Sequence, residues 1–168
     1  MNGTQSESGS ARPAAPTSDW SGRPFRCRLN PDPIEAHKAI ARLKTASVNR
    51  WRILPPGYEG VPHEVANRRN AARFDCGLAV TVLHLRCERD GEFLATGQIS
   101  PGSLTDMSES GLGIEYESPR WNSYLLVESG LLECGIVRLI CETVWWYRTS
   151  IDRYNIGTRV CGTVREVR

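Results

Sequence analysis

From Phe74 onward the chain reads as a succession of strands separated by Gly and Pro turn signals. The run LAVTVLHL, residues 78–85, is rich in branched apolar side chains. GLGIEYE, from Gly111, alternates cleanly. Leu112, Ile114 and Tyr116 share one face, and Gly113, Glu115 and Glu117 the other. YLLVES, from Tyr124, is a short strand candidate. GIVRLICETVWWYR, from Gly135, is a long one that puts Val137, Leu139, Cys141, Thr143, Trp145 and Tyr147 on one face. YNIGTRVCGTV does the same for Tyr154, Ile156, Thr158 and Val160. Successive strands without helical patterns between them predict an antiparallel sandwich or a small barrel.

The pattern before residue 67 is different. Residues 1–30 are rich in Ser, Gly, Pro and Ala and carry few large apolar groups. Such a segment buries too little surface to offset its ordering entropy, so a disordered tail is expected. DPIEAHKAIARLKTA follows. Asp32 suits an N-cap, Pro33 the first helical position, and Glu35 the positive end of the helix dipole. Ala36, Ile40, Leu43 and Ser47 recur at helical spacing, with Ala39 and Ala46 beside them. This stripe either packs a short helix on the main domain or binds a partner. LPPGYEGVP then breaks regular structure and reads as a linker. The organisation expected is a tail over 1–30, a short helix and linker over 31–66, and a β-domain over 67–168.

Composition narrows the function classes. With 168 residues there is room for one domain and an appendage. A net charge of +2 argues against a nucleic-acid coat or a polybasic membrane anchor. No apolar run approaches the ~20 residues that span a bilayer. The first twenty residues lack the charged start and apolar core of a secretory signal, so a cytoplasmic location without membrane insertion is expected. Cys27, Cys76, Cys87, Cys134, Cys141 and Cys161 form no C-x-x-C pair, and His37, His63 and His84 are scattered, so neither a metal site nor a cofactor is expected. In the cytosol these cysteines stay reduced.

Catalytic patterns are absent: there is no G-x-S-x-G, H-E-x-x-H or G-x-x-x-x-G-K. The chain is therefore not expected to be an enzyme. Two constellations remain. The stretch NRRNAARFD holds Arg69-x-x-x-Arg73, preceded by Arg68, just before the first strand. A guanidinium offers a planar fork of donors that suits guanine O6/N7 and phosphate oxygens. In so Arg-rich a chain the same motif also serves as a solvated basic face. The second constellation is DMSESG, with Asp106, Ser108 and Gly111 in a D-x-S-x-x-G spacing. Asp and Ser can fix a strand-joining turn, and Gly permits positive φ there. The same carboxylate can instead accept from adjacent N–H donors on a guanine edge.

Taken together, RNAAR and DMSESG resemble the two motifs of the PilZ domain, a bacterial receptor for cyclic di-GMP. Their order and separation are similar to the family's, and VWW…YNIGTRV looks like its closing pair of strands. The resemblance covers about residues 67–163. It implies an all-β fold, a small antiparallel six-stranded β-barrel, with the short N-terminal helix and tail outside it. It implies that Arg69 and Arg73 grip guanine and phosphate, that Asp106 and Ser108 contact a guanine, and that Gly111 allows the turn. Arg68 occupies the position that bears on ligand stoichiometry, and an Arg there resembles proteins that bind an intercalated ligand dimer. Trp145 falls either near the base stack or in the core. Asn70-Ala71-Ala72 lacks the bulky or Pro residues often found inside the family's first motif.

The expected function is a cyclic di-GMP receptor. In it an Arg-bearing linker is ordered by a dianion and signals to an unidentified protein partner through residues 33–66. One alternative is a PilZ-like interaction adaptor that binds no nucleotide. A small barrel that binds single-stranded nucleic acid is the other; near-neutral charge and apolar-faced strands argue against it, and a nucleic-acid polymer is not an expected partner.

Overall fold

The computed structural model describes residues 23–47, 53–54, 73–89, 91–117, 122–131 and 135–167. Among these residues eight strands and one helix follow in the order β1 (Phe25–Asn30), α1 (Pro33–Ala46), β2 (Ile53–Leu54), β3 (Arg73–Arg89), β4 (Glu92–Met107), β5 (Gly111–Tyr116), β6 (Tyr124–Leu131), β7 (Gly135–Arg148) and β8 (Tyr154–Val167). All described pairings are antiparallel. The fold is therefore mostly antiparallel β-sheet with one short helix.

The ladders run β3–β4–β5–β8–β7–β6, and β6 pairs back with β3. Inside this circuit lies a core that includes Val80, Val82, Leu104, Leu112, Ile114, Leu125, Leu139 and Ile156. Alternation along each strand decides which side chains enter it. Val82 belongs to this core and Leu83 to a second one. The same division separates Leu125 from Leu126 and Leu139 from Ile140. The second core, around Leu83, Leu85, Phe93, Leu126 and Ile140, lies on the opposite face of the shared strands.

Strand β1 closes over that second core, and it corrects the expectation of a tail through residue 30. Residues 25–30 pair with β4 on one side and β8 on the other. The reason is local. Phe25, Cys27 and Leu29 alternate with Arg26 and Arg28, so a two-residue apolar period sits at the end of a polar composition. Cys27 is buried in the second core, with Phe25 and Leu29 packed against it. Arg26 and Arg28 point outward, where they pair with Glu88 and Glu92. Residues 1–22 of the tail expected over 1–30, and most of the linker, lie outside the described residues.

The helix forms as its residues dictate. Asp32 accepts from the Ile34 amide at 2.9 Å, Pro33 takes the first turn, and Ser47 ends the helix by donating its hydroxyl to the Leu43 carbonyl. Ala39, Ile40 and Leu43 are buried and join the first core, so the stripe packs on the domain itself. Among the described residues no helix is long and apolar enough to cross a membrane.

Strand β4 carries the bend between the two cores. Leu83 pairs with Ile99 and Leu85 with Ala95, so three residues of β4 face one of β3. Gly97 sits inside this bulge at φ 80°, a conformation that a side chain disfavours. Pro101 follows, in a stretch that pairs with β3 alone. The lost amide of a proline is tolerated at such an edge.

Candidate functional site

The DMSESG stretch joins β4 to β5, and its three expected residues do different work. Ser108 is 5% exposed and holds the turn. Its hydroxyl oxygen accepts from the amides of Gly111 (3.0 Å) and Ser110 (3.4 Å), while its own amide donates to the Gly111 carbonyl at 2.9 Å. Asp106 is 4% exposed and stands at the end of β4. The Thr105 hydroxyl donates to its Oδ2 at 3.4 Å. Gly111 does not serve the turn by positive φ, which corrects that expectation. A Cβ there would lie 2.6 Å from the Thr158 carbonyl oxygen, so close approach of β8 is what requires glycine.

Two further glycines shape the face that these residues border. Leu112 and Ile114 enter the core, so Gly113 between them faces outward. In the ladders Asp106 pairs with Gly113, Gly113 with Gly157, and Gly157 with Trp145. A Cβ on Gly113 would fall 2.2 Å from Asp106 Oδ2, and one on Gly157 would fall 2.0 Å from the Trp145 ring. The carboxylate and the indole thus lie over adjacent bare backbone positions of one sheet face. Trp145 is not in either core, contrary to the plain alternation of β7. A bulge between Thr143 and Trp145 inserts Val144 and turns Trp145 and Tyr147 outward. The two rings stack at 5.7 Å and 12°. Asn155 donates to the Tyr147 hydroxyl at 3.1 Å.

Charged groups edge this face. Arg153 donates to Glu115 at 2.7 Å and lies 3.9 Å from Glu117. The hydrogen bond and charge of Glu115 raise its pKa further. Arg159 is ion-paired with Glu142. A groove of about 310 Å³ lies beside Glu115, lined by Gly77, Ala79, Ser103 and Arg153 among others. Among the described residues no cluster of His, Cys, Asp and Glu could hold a metal ion.

The arginine motif is only partly described. Arg68 and Arg69 lie outside the described residues. Arg73 opens β3. Immediately after it, Phe74 pairs with Met107 and Asp75 with Asp106. The register therefore brings the end of the first motif alongside the start of the second, which spacing alone does not fix. The glycine pair, Tyr147, Asn155 and Arg159 were not singled out from sequence as site residues. The one signal available was glycine recurring on the outward face of two strands. The chain matches no family model, and a search of curated proteins finds no match.

Proposed function

We propose that this protein is a receptor for cyclic di-GMP, with the six-strand circuit serving as a small closed barrel of the PilZ kind. The observation that carries this reading is the β3–β4 register, which sets Arg73 at the edge of the Asp106–Ser108 turn. Support also comes from the outward sheet face beside it, where Trp145 is half-buried. Asp106 offers acceptors for guanine N–H donors, and Trp145 offers an indole as a stacking surface. Arg69 and Arg73 supply forks for the phosphates, and Arg68 bears on whether one ligand or a stacked pair binds. Two phosphate charges drawing the arginine segment against a sheet make an order–disorder switch. The helix α1 buries its stripe in the core of the same circuit, so the ligand signal passes through that core to the N-terminal elements and on to a protein partner. No enzymatic step or resident cofactor is part of this reading, and the site of action is cytoplasmic.

Calorimetry with cyclic di-GMP on the full chain and on Arg69→Ala/Arg73→Ala tests it. Wild type binds at micromolar ligand. The double variant loses about 100-fold or more, since each charge-assisted contact contributes about 1.5–3 kcal/mol. A folded wild type that takes up no ligand would sink the receptor reading. A second reading, an adaptor that binds no nucleotide, is favoured by Val144, Trp146 and Ile151, large apolar side chains exposed near the β7–β8 hairpin. That adaptor gives no heat with cyclic di-GMP.

A further inference from the structure

We infer that Arg159 is a further anion-binding residue of this face, taking a ligand phosphate through the guanidinium donors that Glu142 leaves available. The identity of the ligand rests on the receptor reading above; the placement of Arg159 does not.

Ile156 enters the core and Gly157 faces outward, so Arg159, two positions on, shares the outward face with Gly157. In the ladders Arg159 stands opposite Gly111 on one side and Glu142 on the other. Gly111 bears no side chain, so nothing from that position screens the guanidinium. From Arg159 to Gly113, where the Asp106 carboxylate lies, is one strand across and two residues along. That diagonal is about 7–8 Å. Arg159, Trp145 and Asp106 therefore border one patch, of a size that a ligand with two bases and two phosphates covers.

Charge points the same way. Asp106, Glu115 and Glu142 put three carboxylates around the patch, which would repel a dianion unless cations answer them. Arg153 faces two carboxylates, Glu115 and Glu117. Arg159 is 67% exposed, and its ion-pair partner among the described residues is Glu142, reached through Nη2. A guanidinium has five N–H donors in a fixed fork, so one such pairing orients the group and leaves donors for a phosphate.

The test is calorimetry with cyclic di-GMP on the full-length wild type, Arg159→Gln, Arg159→Lys and Arg26→Gln. Each is first checked for an unchanged melting temperature. Arg26 is exposed on β1 and controls for loss of one charge remote from the patch. Arg159→Gln is expected to weaken binding about ten- to a hundredfold, with Arg159→Lys recovering part of the loss and Arg26→Gln near wild type. If wild type binds and Arg159→Gln stays within about twofold of it, the inference is wrong and the receptor reading stands. An equal loss in Arg26→Gln also overturns it, because the effect is then not local. No binding by folded wild type removes both.

Discussion

Replacing Gly111 by alanine separates two explanations of the glycine in the second motif. If glycine were there for a left-handed turn, asparagine would substitute tolerably, since it visits that region more readily than other residues. Gly111 is instead crowded by backbone: its missing Cβ would lie 2.6 Å from the Thr158 carbonyl oxygen. Backbone cannot rotate away as a side chain tip can, so β5 and β8 must part locally. Overpacking of this kind costs about 1–3 kcal/mol. The shift also strains the bond from the Gly111 amide to the Ser108 hydroxyl, 3.0 Å long, worth about 1 kcal/mol. Relief of glycine's entropy cost in a strand returns about 0.5–1 kcal/mol. The net loss is about 1–3 kcal/mol. At about 2–4 °C per kcal/mol for a chain of this size, the melting temperature falls by about 2–12 °C. Thermal unfolding followed by far-UV circular dichroism reads this directly. Gly111→Ala and Gly111→Asn are expected to lose similar stability. A variant pair in which Asn melts with wild type and Ala does not would refute the steric argument.

Three further perturbations test the fold. Arg138→Ala removes the guanidinium that donates at 2.7 Å to Glu128, a carboxylate 2% exposed, and is expected to cost about 2–4 kcal/mol in urea unfolding; a midpoint equal to wild type would show that the pair contributes nothing. Removing residues 1–30 deletes β1 and uncovers Phe93, Leu83 and Ile140, so the shortened chain should bind a hydrophobic dye and unfold at lower urea, whereas loss of a mere tail would leave both unchanged. Burial pushes the Cys27 thiol up to about 11 and the Cys141 thiol and Tyr116 phenol up to about 12. These groups ionise first in the unfolded chain, so their contribution is intact below pH about 9. It is lost as pH rises through 11–12, by up to about 1.4 kcal/mol per pH unit for each group. A urea midpoint that holds level to pH about 11 would contradict that burial.

Where local pattern and tertiary context agree, the sequence was enough. Asp32, Pro33 and Glu35 announce α1, and Ala39, Ile40 and Leu43 meet the core as their spacing requires. The alternation of GLGIEY carries straight into β5. The failures have particular causes. β1 was hidden because composition averaged over thirty residues outweighs a five-residue alternation at its end. β4 was hidden because Gly97, Pro101 and Gly102 read as turn signals, yet each sits where one side of the strand is bulged, unpaired or crowded. Trp145 was misplaced because one bulged residue reverses every side chain after it. Asp106 and Ser108 were singled out by motif, and the fold places them at the β4–β5 turn. The Gly113–Gly157 pair that lets Asp106 and Trp145 lie flat depends on register across three ladders, which no single strand reveals.

The central claim is that the face bearing Asp106 and Trp145 takes cyclic di-GMP. Indole N–H resonances of ¹⁵N-labelled full-length protein, with Trp145 assigned by Trp145→Phe, test ligand and location together. On titration with micromolar cyclic di-GMP the Trp145 signal should shift and saturate, and Arg69→Ala/Arg73→Ala should abolish the shift. A folded protein whose Trp145 resonance stays fixed while the ligand is added would contradict the account.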